Sequence, residues 1–279
     1  MKTIFEEQII KAVRDMCIEA NCCLNDDVYN AIVTSISYEK SDTGVEVLNQ
    51  LAENSIIARN EQMPICQDTG MAIVFVEIGQ DVHVRGNISD AINEGVRRGY
   101  EEGFLRKSVV SDPLLRCNSG DNTPAIIYYE IVDGENMKIS LVPKGFGSEN
   151  MSDIAMLKPS DGIDGIIDFV VDTCIKAGPN PCPPIIVGVG IGGSFEKCAF
   201  LAKKALMRPI NLSNSKAHIA NLENQLLERI NRLGIGPAGL GGKITALGVN
   251  VETFATHIAG LPVAVNISCH ATRHAEVVL

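Results

Sequence analysis

Residues 71 to 78 read Met-Ala-Ile-Val-Phe-Val-Glu-Ile, an almost unbroken apolar run rich in β-branched and aromatic side chains. A run of this length and composition predicts a strand buried on both faces, and so a chain built around a covered sheet. Directly before it stands Pro64-Ile65-Cys66-Gln67-Asp68-Thr69-Gly70. A thiol, an amide, a carboxylate and a hydroxyl occupy consecutive positions between a proline and a glycine. Proline fixes φ and glycine relaxes it, so the backbone here can make a sharp, defined bend. Loops held by a rigid scaffold are where chemistry is usually placed, and this one opens onto a buried strand. The plainer alternative is a surface turn with a small buried cysteine behind it.

Taken in order, residues 1–60 predict a helical N-terminal region. Ile4, Ile9, Ile10, Val13, Met16 and Cys17 fall at helical spacing, Asn25-Asp26-Asp27 breaks the pattern, and residues 28–37 and 44–59 resume it. A helix follows over 88–103, with Asn87 or Ser89 near its start. The turn Asp121-Asn122-Thr123-Pro124 leads into a strand over 125–132, and Asp133-Gly134 suggests a hairpin into a strand over 137–142. The loop Pro143 to Asn150 contains glycines that would let backbone N–H groups approach an anion, although an ordinary loop has the same composition. Further helices are predicted over 161–177, 195–207 and 214–233, and strands over 185–191, 243–251 and 261–268. The segment Gly178-Pro179-Asn180-Pro181-Cys182-Pro183-Pro184 must be rigid and irregular, and five glycines crowd into 234–242. Gly192-Gly193-Ser194 opens a helix after a strand, which is the layout of an anion site but lacks the glycine spacing of a dinucleotide fingerprint. The expected fold is mixed α/β: one domain over 1–279, its helical region 1–60 followed by a strand-and-helix region over 61–279.

The 279 residues are 46% hydrophobic and 21% charged, which suits a globular protein with a substantial core. A net charge of −10 and the absence of tryptophan argue against a nucleic-acid partner. No apolar run reaches the ~18 residues of a membrane span. The N-terminus turns acidic at once, so the chain is expected to be cytoplasmic. Nine cysteines without a secretion signal or any Cys-x-x-Cys pair argue for reduced thiols rather than a disulfide framework.

Three of those cysteines share a setting. Cys66 and Cys182 lie just before predicted strands and Cys269 just after one, each in a loop where a thiolate can be held yet reached. Cys174 and Cys198 fall within helical patterns and Cys17, Cys22 and Cys23 near the end of the first helix, so all five are expected to be core or plain surface thiols. Cys117, in a loop, stays open as a ligand. Three thiolates without a fourth suit a cubane iron–sulfur cluster with one iron left open, whereas electron-transfer clusters take four. An open iron can act as a Lewis acid. Spacing alone does not establish such a site.

The motifs together do more. Cys66-Gln67-Asp68-Thr69-Gly70, Asp121-Asn122-Thr123-Pro124-Ala125, Lys144-Gly145-Phe146-Gly147-Ser148-Glu149-Asn150, Cys182-Pro183-Pro184 through Gly192-Gly193, and the tail from Gly236 to Arg273 with His257 and Cys269 span residues 60 to 275. In these the chain resembles the iron–sulfur-dependent class I fumarases, specifically the α subunit of the two-subunit form shared with L-tartrate dehydratase. The resemblance implies that Cys66, Cys182 and Cys269 hold a [4Fe–4S] cluster with one open iron position. It implies that Asp68 exchanges a proton with the leaving hydroxyl, against a turn-capping role, and that Arg106 grips a substrate carboxylate as a bidentate fork. His257 is expected near the substrate as a hydrogen-bond donor, with Gln67 and the Gly147 backbone as further contacts. His270, Arg273 and His274 are expected at a subunit contact or the surface.

Single-chain members of the family carry a further C-terminal domain, and this chain ends soon after Cys269. A separate β subunit is therefore expected to complete the site, with an α–α contact in a heterotetramer. The expected substrate is a small dicarboxylate: fumarate and (S)-malate first, L-tartrate or mesaconate as alternatives that one or two pocket residues would decide. The rival classes are an iron–sulfur electron-transfer or sensor protein, which a fourth ligand such as Cys117 would favour, and a scaffolding homologue with reduced core cysteines.

Overall fold

The apolar run becomes strand β2, buried along most of its length as both-face burial requires. The computed structural model describes residues 2–279. In chain order the elements are β1 (Lys2–Phe5), α1 (Glu6–Cys22), α2 (Asp26–Tyr38), α3 (Asp42–Glu61), β2 (Met71–Gly79), β3 (Val82–Arg85), α4 (Ile88–Glu102), β4 (Ile126–Val132), β5 (Met137–Lys144), α5 (Phe146–Glu149) and β6 (Asp153–Leu157). Then come α6 (Gly162–Ala177), β7 (Ile185–Gly192), α7 (Phe195–Ala205), α8 (Ala217–Asn231), β8 (Ala246–Phe254), β9 (Leu261–Ser268) and β10 (Ala275–Val278). The architecture is α/β with mixed sheets, as expected. The chain divides into two compact units that interleave in sequence. One comprises the residues up to Leu24, Ser55–Phe146 and Arg273–Leu279; the other comprises Asn25–Asn54 and Gly147–Thr272.

In the first unit the sheet order is β10-β5-β2-β4, and β1 pairs with β3 in a separate parallel ribbon. Ala72, Val74 and Val76 of β2 and Met137, Ile139 and Leu141 of β5 meet Ile9, Val13 and Cys17 of α1 and Ile92 and Val96 of α4 in one core. The Asn87 side chain accepts from the N–H of Ser89 and Asp90, capping α4 where the sequence placed its start. The expected β4–β5 hairpin does not form. Both strands pair with β2, β4 in parallel and β5 antiparallel, so β2 lies between them. The Asp133-Gly134 turn instead wraps the end of β2: Asp81 N–H donates to Gly134 O and Gly79 N–H to Asn136 O. The central place goes to the strand that is apolar on both faces, while β4 keeps Ile131 and Tyr129 exposed at the edge. One strand follows the expected one at 261–268. After β9 the chain returns as β10, antiparallel to β5.

The second unit carries the sheet β6-β9-β7-β8. Val187, Val189 and Ile191 of β7, with Val263, Val265 and Ile267 of β9, face a core completed by α6 and α8. The alternate residues of β7 are Gly188 and Gly190. A Cβ on either would lie 2.1 Å from Ala202 O or 2.0 Å from Cys198 O, so these glycines let α7 lie directly on the sheet. Cys198 and Cys174 are thereby core residues, as their helical spacing predicted.

Candidate functional site

The bend before β2 is built by groups converging from four parts of the first unit. Ile65 N–H donates to Asn21 O (2.9 Å), which ends α3 against α1. Gly70 has φ +74°, and a Cβ there would sit 2.7 Å from the Lys144 backbone, so only glycine fits. Asp68 Oδ1 accepts from Gly70 N–H (3.0 Å) and Oδ2 from Phe146 N–H (2.9 Å). Its carbonyl accepts from Arg273 Nη2 (3.0 Å), and the same nitrogen donates to Asn21 Oδ1 (3.0 Å). Arg273 is 3% exposed, so it is a buried strut of the bend rather than the subunit-contact or surface group anticipated. Asp68 therefore does cap this turn; a proton-transfer role would be additional.

On the other side of the bend, the buried Tyr100 hydroxyl faces the carbonyls of Thr69 (2.7 Å) and Gly70 (2.9 Å). Burial pushes its phenol well above the ordinary range, so it stays a donor. Thr69 Oγ1 donates to Arg106 O (3.1 Å), tying the arginine loop to the bend. The side chains this frame leaves accessible are those of Cys66, Gln67 and Arg106. Cys66 is half-buried and its Sγ donates to Gln67 Oε1 (2.9 Å). Arg106 is exposed, with no acidic partner for its guanidinium among the described residues. Three predicted residues and the Cys66 thiol are thus assembled in one unit. Thr69, Tyr100, Asn122 and Arg273, which hold them, were not anticipated as site residues. Thr69 carried a signal as the hydroxyl of the bend motif, Asn122 as part of the turn at 121–124 and Arg273 as the end of the tail motif; Tyr100 carried none.

In the second unit Cys182 is exposed, at φ +55°, and its N–H donates to Pro179 O. β7 starts three residues later, and β9 runs antiparallel to it with Ile186 opposite Ser268. That register brings Cys269 to the same sheet end as Cys182. His270 spans the two, its Nδ1 3.0 Å from Cys182 O. A Cβ on Gly147 would lie 3.8 Å from Asn180 O, so Gly147 adjoins the Cys182 segment. The glycine-rich loop packs there too, through Ala238 N–H to Pro183 O (2.8 Å).

His257 is elsewhere in that unit. It follows β8, whose Phe254 pairs with Gly192 at the far end of β7. At ~3.3 Å per residue, β7 separates it from Cys182 by more than about 20 Å. It is exposed and lines a cavity of about 490 Å³ with Gly193, Ser194, Lys197 and Thr256. Within one unit, His257 is not brought to the cysteine pair.

The sequence matches the family model described as fumarate hydratase (Fumerase) over residues 10–278. The chain belongs to the fumarate hydratase family. A Methanocaldococcus jannaschii protein provisionally named L(+)-tartrate dehydratase subunit alpha is 46% identical over 276 residues, 96% of either chain. The L(+)-tartrate dehydratase subunit alpha of Escherichia coli strain K12 and that of Shigella sonnei are each 33% identical over 252 residues, 89% of this chain and 83% of theirs.

The thiols of this fumarate hydratase family member fall into two sets. Burial pushes the Cys174 thiol up to about 12 and raises those of Cys17 and Cys198, so these stay protonated and inert. Cys66 and Cys269 are partly buried and Cys182 is exposed, all three in irregular loops, a donor set that suits thiolate ligation. Among the described residues no three His, Cys, Asp or Glu side chains gather around a single-ion site.

Proposed function

We propose that this chain is the α subunit of a [4Fe–4S]-dependent hydro-lyase acting on four-carbon dicarboxylates, with a β subunit completing the site. The observation that carries it is the segregation of the thiols: three accessible ones on loops at strand ends, one of them in the bend that also ties down the Arg106 loop. The family membership supports the hydro-lyase class. The names of the relatives, each a subunit alpha, support a β partner. No described helix is long and apolar enough to cross a membrane.

Cys66, Cys182 and Cys269 would hold the cluster. When bound, the cluster supplies Lewis acidity toward the substrate hydroxyl. Arg106 then pairs with a substrate carboxylate through two parallel N–H donors. Gln67 and the Gly147 backbone supply further donors to the diacid. In the dehydrating direction the C2–O bond breaks, the hydroxyl leaves with a proton as water, and a base removes the C3 proton; no electrons are exchanged. Asp68 is the proton donor to that hydroxyl from this chain, and the base belongs to the β subunit. His257 reaches the substrate only from a second α chain, which matches the expected α–α contact.

Fumarate and (S)-malate are the first substrate pair. L-tartrate is the second reading, favoured by the names of the relatives. The test is anaerobic reconstitution with iron and sulfide counted per chain, then turnover of (S)-malate and L-tartrate with the β subunit present. About four irons in the wild type and a severe loss in each of Cys66→Ala, Cys182→Ala and Cys269→Ala are expected. Iron retained in all three variants would remove the cluster assignment. Iron bound without turnover of either diacid would favour an electron-transfer or sensor role.

A further inference from the structure

The turn Asp121-Asn122-Thr123-Pro124 stood out in the sequence and has no part in the chemistry above. Asn122 is fully buried, at 0% exposure, and at φ +66°, a conformation asparagine tolerates better than most residues. Its Oδ1 accepts from the N–H groups of Ser108 (2.7 Å) and Val109 (3.1 Å). Its Nδ2 donates to Gly70 O (3.2 Å). One carboxamide thus joins the loop that carries Arg106 to the bend that carries Cys66 and Asp68.

The rest of that loop is pinned to match. Leu105 and Val109 are buried and flank the exposed stretch Arg106 to Ser108. Leu105 N–H donates to Tyr100 O, Thr69 Oγ1 to Arg106 O, and Asn118 Nδ2 to Lys107 O. An exposed loop does not need this much backbone restraint for solubility; a cation that must meet a ligand at fixed geometry does. We infer that Asn122 is a positioning residue for Arg106, clamping its loop onto the Cys66–Gly70 bend with the help of Thr69. Only a short amide can do both jobs, since two N–H groups and a carbonyl must be satisfied together. Aspartate would set a carboxylate oxygen against Gly70 O, and glycine would keep the backbone angle but lose all three bonds.

The clamp bears on turnover because Arg106 grips a substrate carboxylate, the role proposed for it. The experiment uses the reconstituted αβ enzyme, anaerobic, with (S)-malate and L-tartrate as probes. Asn122→Asp, Asn122→Gly and Thr69→Val are expected to lower kcat/KM roughly tenfold or more, mostly through KM, since small misplacements of a binding group are costly. Iron per chain should stay at the wild-type level, and Thr69→Ser, which keeps the donor, should restore KM. The double variant Asn122→Gly with Arg106→Lys should lose no more than Arg106→Lys alone, because Asn122 acts through the arginine. A purely structural Asn122 would instead lower the unfolding midpoint and the active fraction, leave KM unchanged and add its effect to that of Arg106→Lys; that result overturns the inference. Damaged Arg106→Lys enzyme beside wild-type kinetics in Asn122→Asp and Thr69→Val overturns the inference alone. Wild-type kinetics in Arg106→Lys overturns the role of Arg106 and the inference with it.

Discussion

Burial divides the nine thiols into a buried set and an accessible one. Cys17, Cys174 and Cys198 are packed in apolar cores, where ionisation is suppressed. Cys22 is buried as well, while Cys23, Cys66 and Cys269 are partly exposed and Cys117 and Cys182 exposed. Maleimide labelling of the apo chain, followed by peptide mass spectrometry, should therefore modify these five quickly and the buried four only on unfolding. After anaerobic reconstitution, Cys66, Cys182 and Cys269 should become protected while Cys23 and Cys117 keep their rates. Protection of Cys117 as well would make it a fourth ligand and revive the electron-transfer alternative.

At the scale of elements, loops in this protein are held by single polar side chains reaching far along the chain. Glu39, at the C-cap of α2, accepts from the N–H of Lys40 (2.6 Å) and Ser41 (3.0 Å). It also accepts from Lys243 (2.8 Å) and Ile244 (2.8 Å), where the glycine-rich loop ends before β8. Burial by itself would raise its pKa, but these backbone donors outweigh it and hold the carboxyl below its ordinary 4.5. A depressed carboxylate stabilises the fold above its unfolded pKa, and the contribution is lost as pH falls through the folded value. Glu39→Gln should thus cost roughly 1.5–3 kcal/mol at pH 7, the worth of hydrogen bonds to a charged group. In urea unfolding the gap to wild type should narrow as pH drops below 4.5. A gap independent of pH would mean that shape rather than charge holds the loop. Because that loop packs on Pro183, the same variant is expected to loosen the Cys182 segment.

For the molecule as a whole, the consequence of the sheet topology is that two of the residues proposed for the site stand far apart in one chain. Cys182 and His257 lie at opposite ends of β7, and no side-chain motion spans a strand of that length. If His257 serves a neighbouring α chain, two inactive variants should complement each other. Mixing αβ enzyme carrying Cys182→Ala with enzyme carrying His257→Ala, under subunit exchange, should restore about a quarter of wild-type turnover. Random pairing about a two-fold axis makes half the dimers mixed, each with one intact site. No recovery despite demonstrated exchange would place His257 outside the chemistry.

Much of this was legible in the residues, because the signals are local. Apolar runs marked β2, β7 and β9, helical spacing marked α1, α4 and α6, and helix or loop context sorted the core thiols from the candidates. The short edge strands β1, β3, β6 and β10 escaped notice, since four or five residues at a sheet margin carry too little alternation to register. Pairing order was also out of reach. Asp133-Gly134 has hairpin chemistry, yet the doubly apolar β2 takes the place between β4 and β5, because burying both of its faces outweighs a turn preference. Proximity was decided only by the tertiary structure. The antiparallel register of β7 and β9 joins Cys182 to Cys269 and carries His257 away, and the return of the chain as β10 buries Arg273 under Asp68. Sequence determines which groups are available and how each segment prefers to run; which of them meet depends on long-range pairing, whose energy is spread over both cores and written in no single motif.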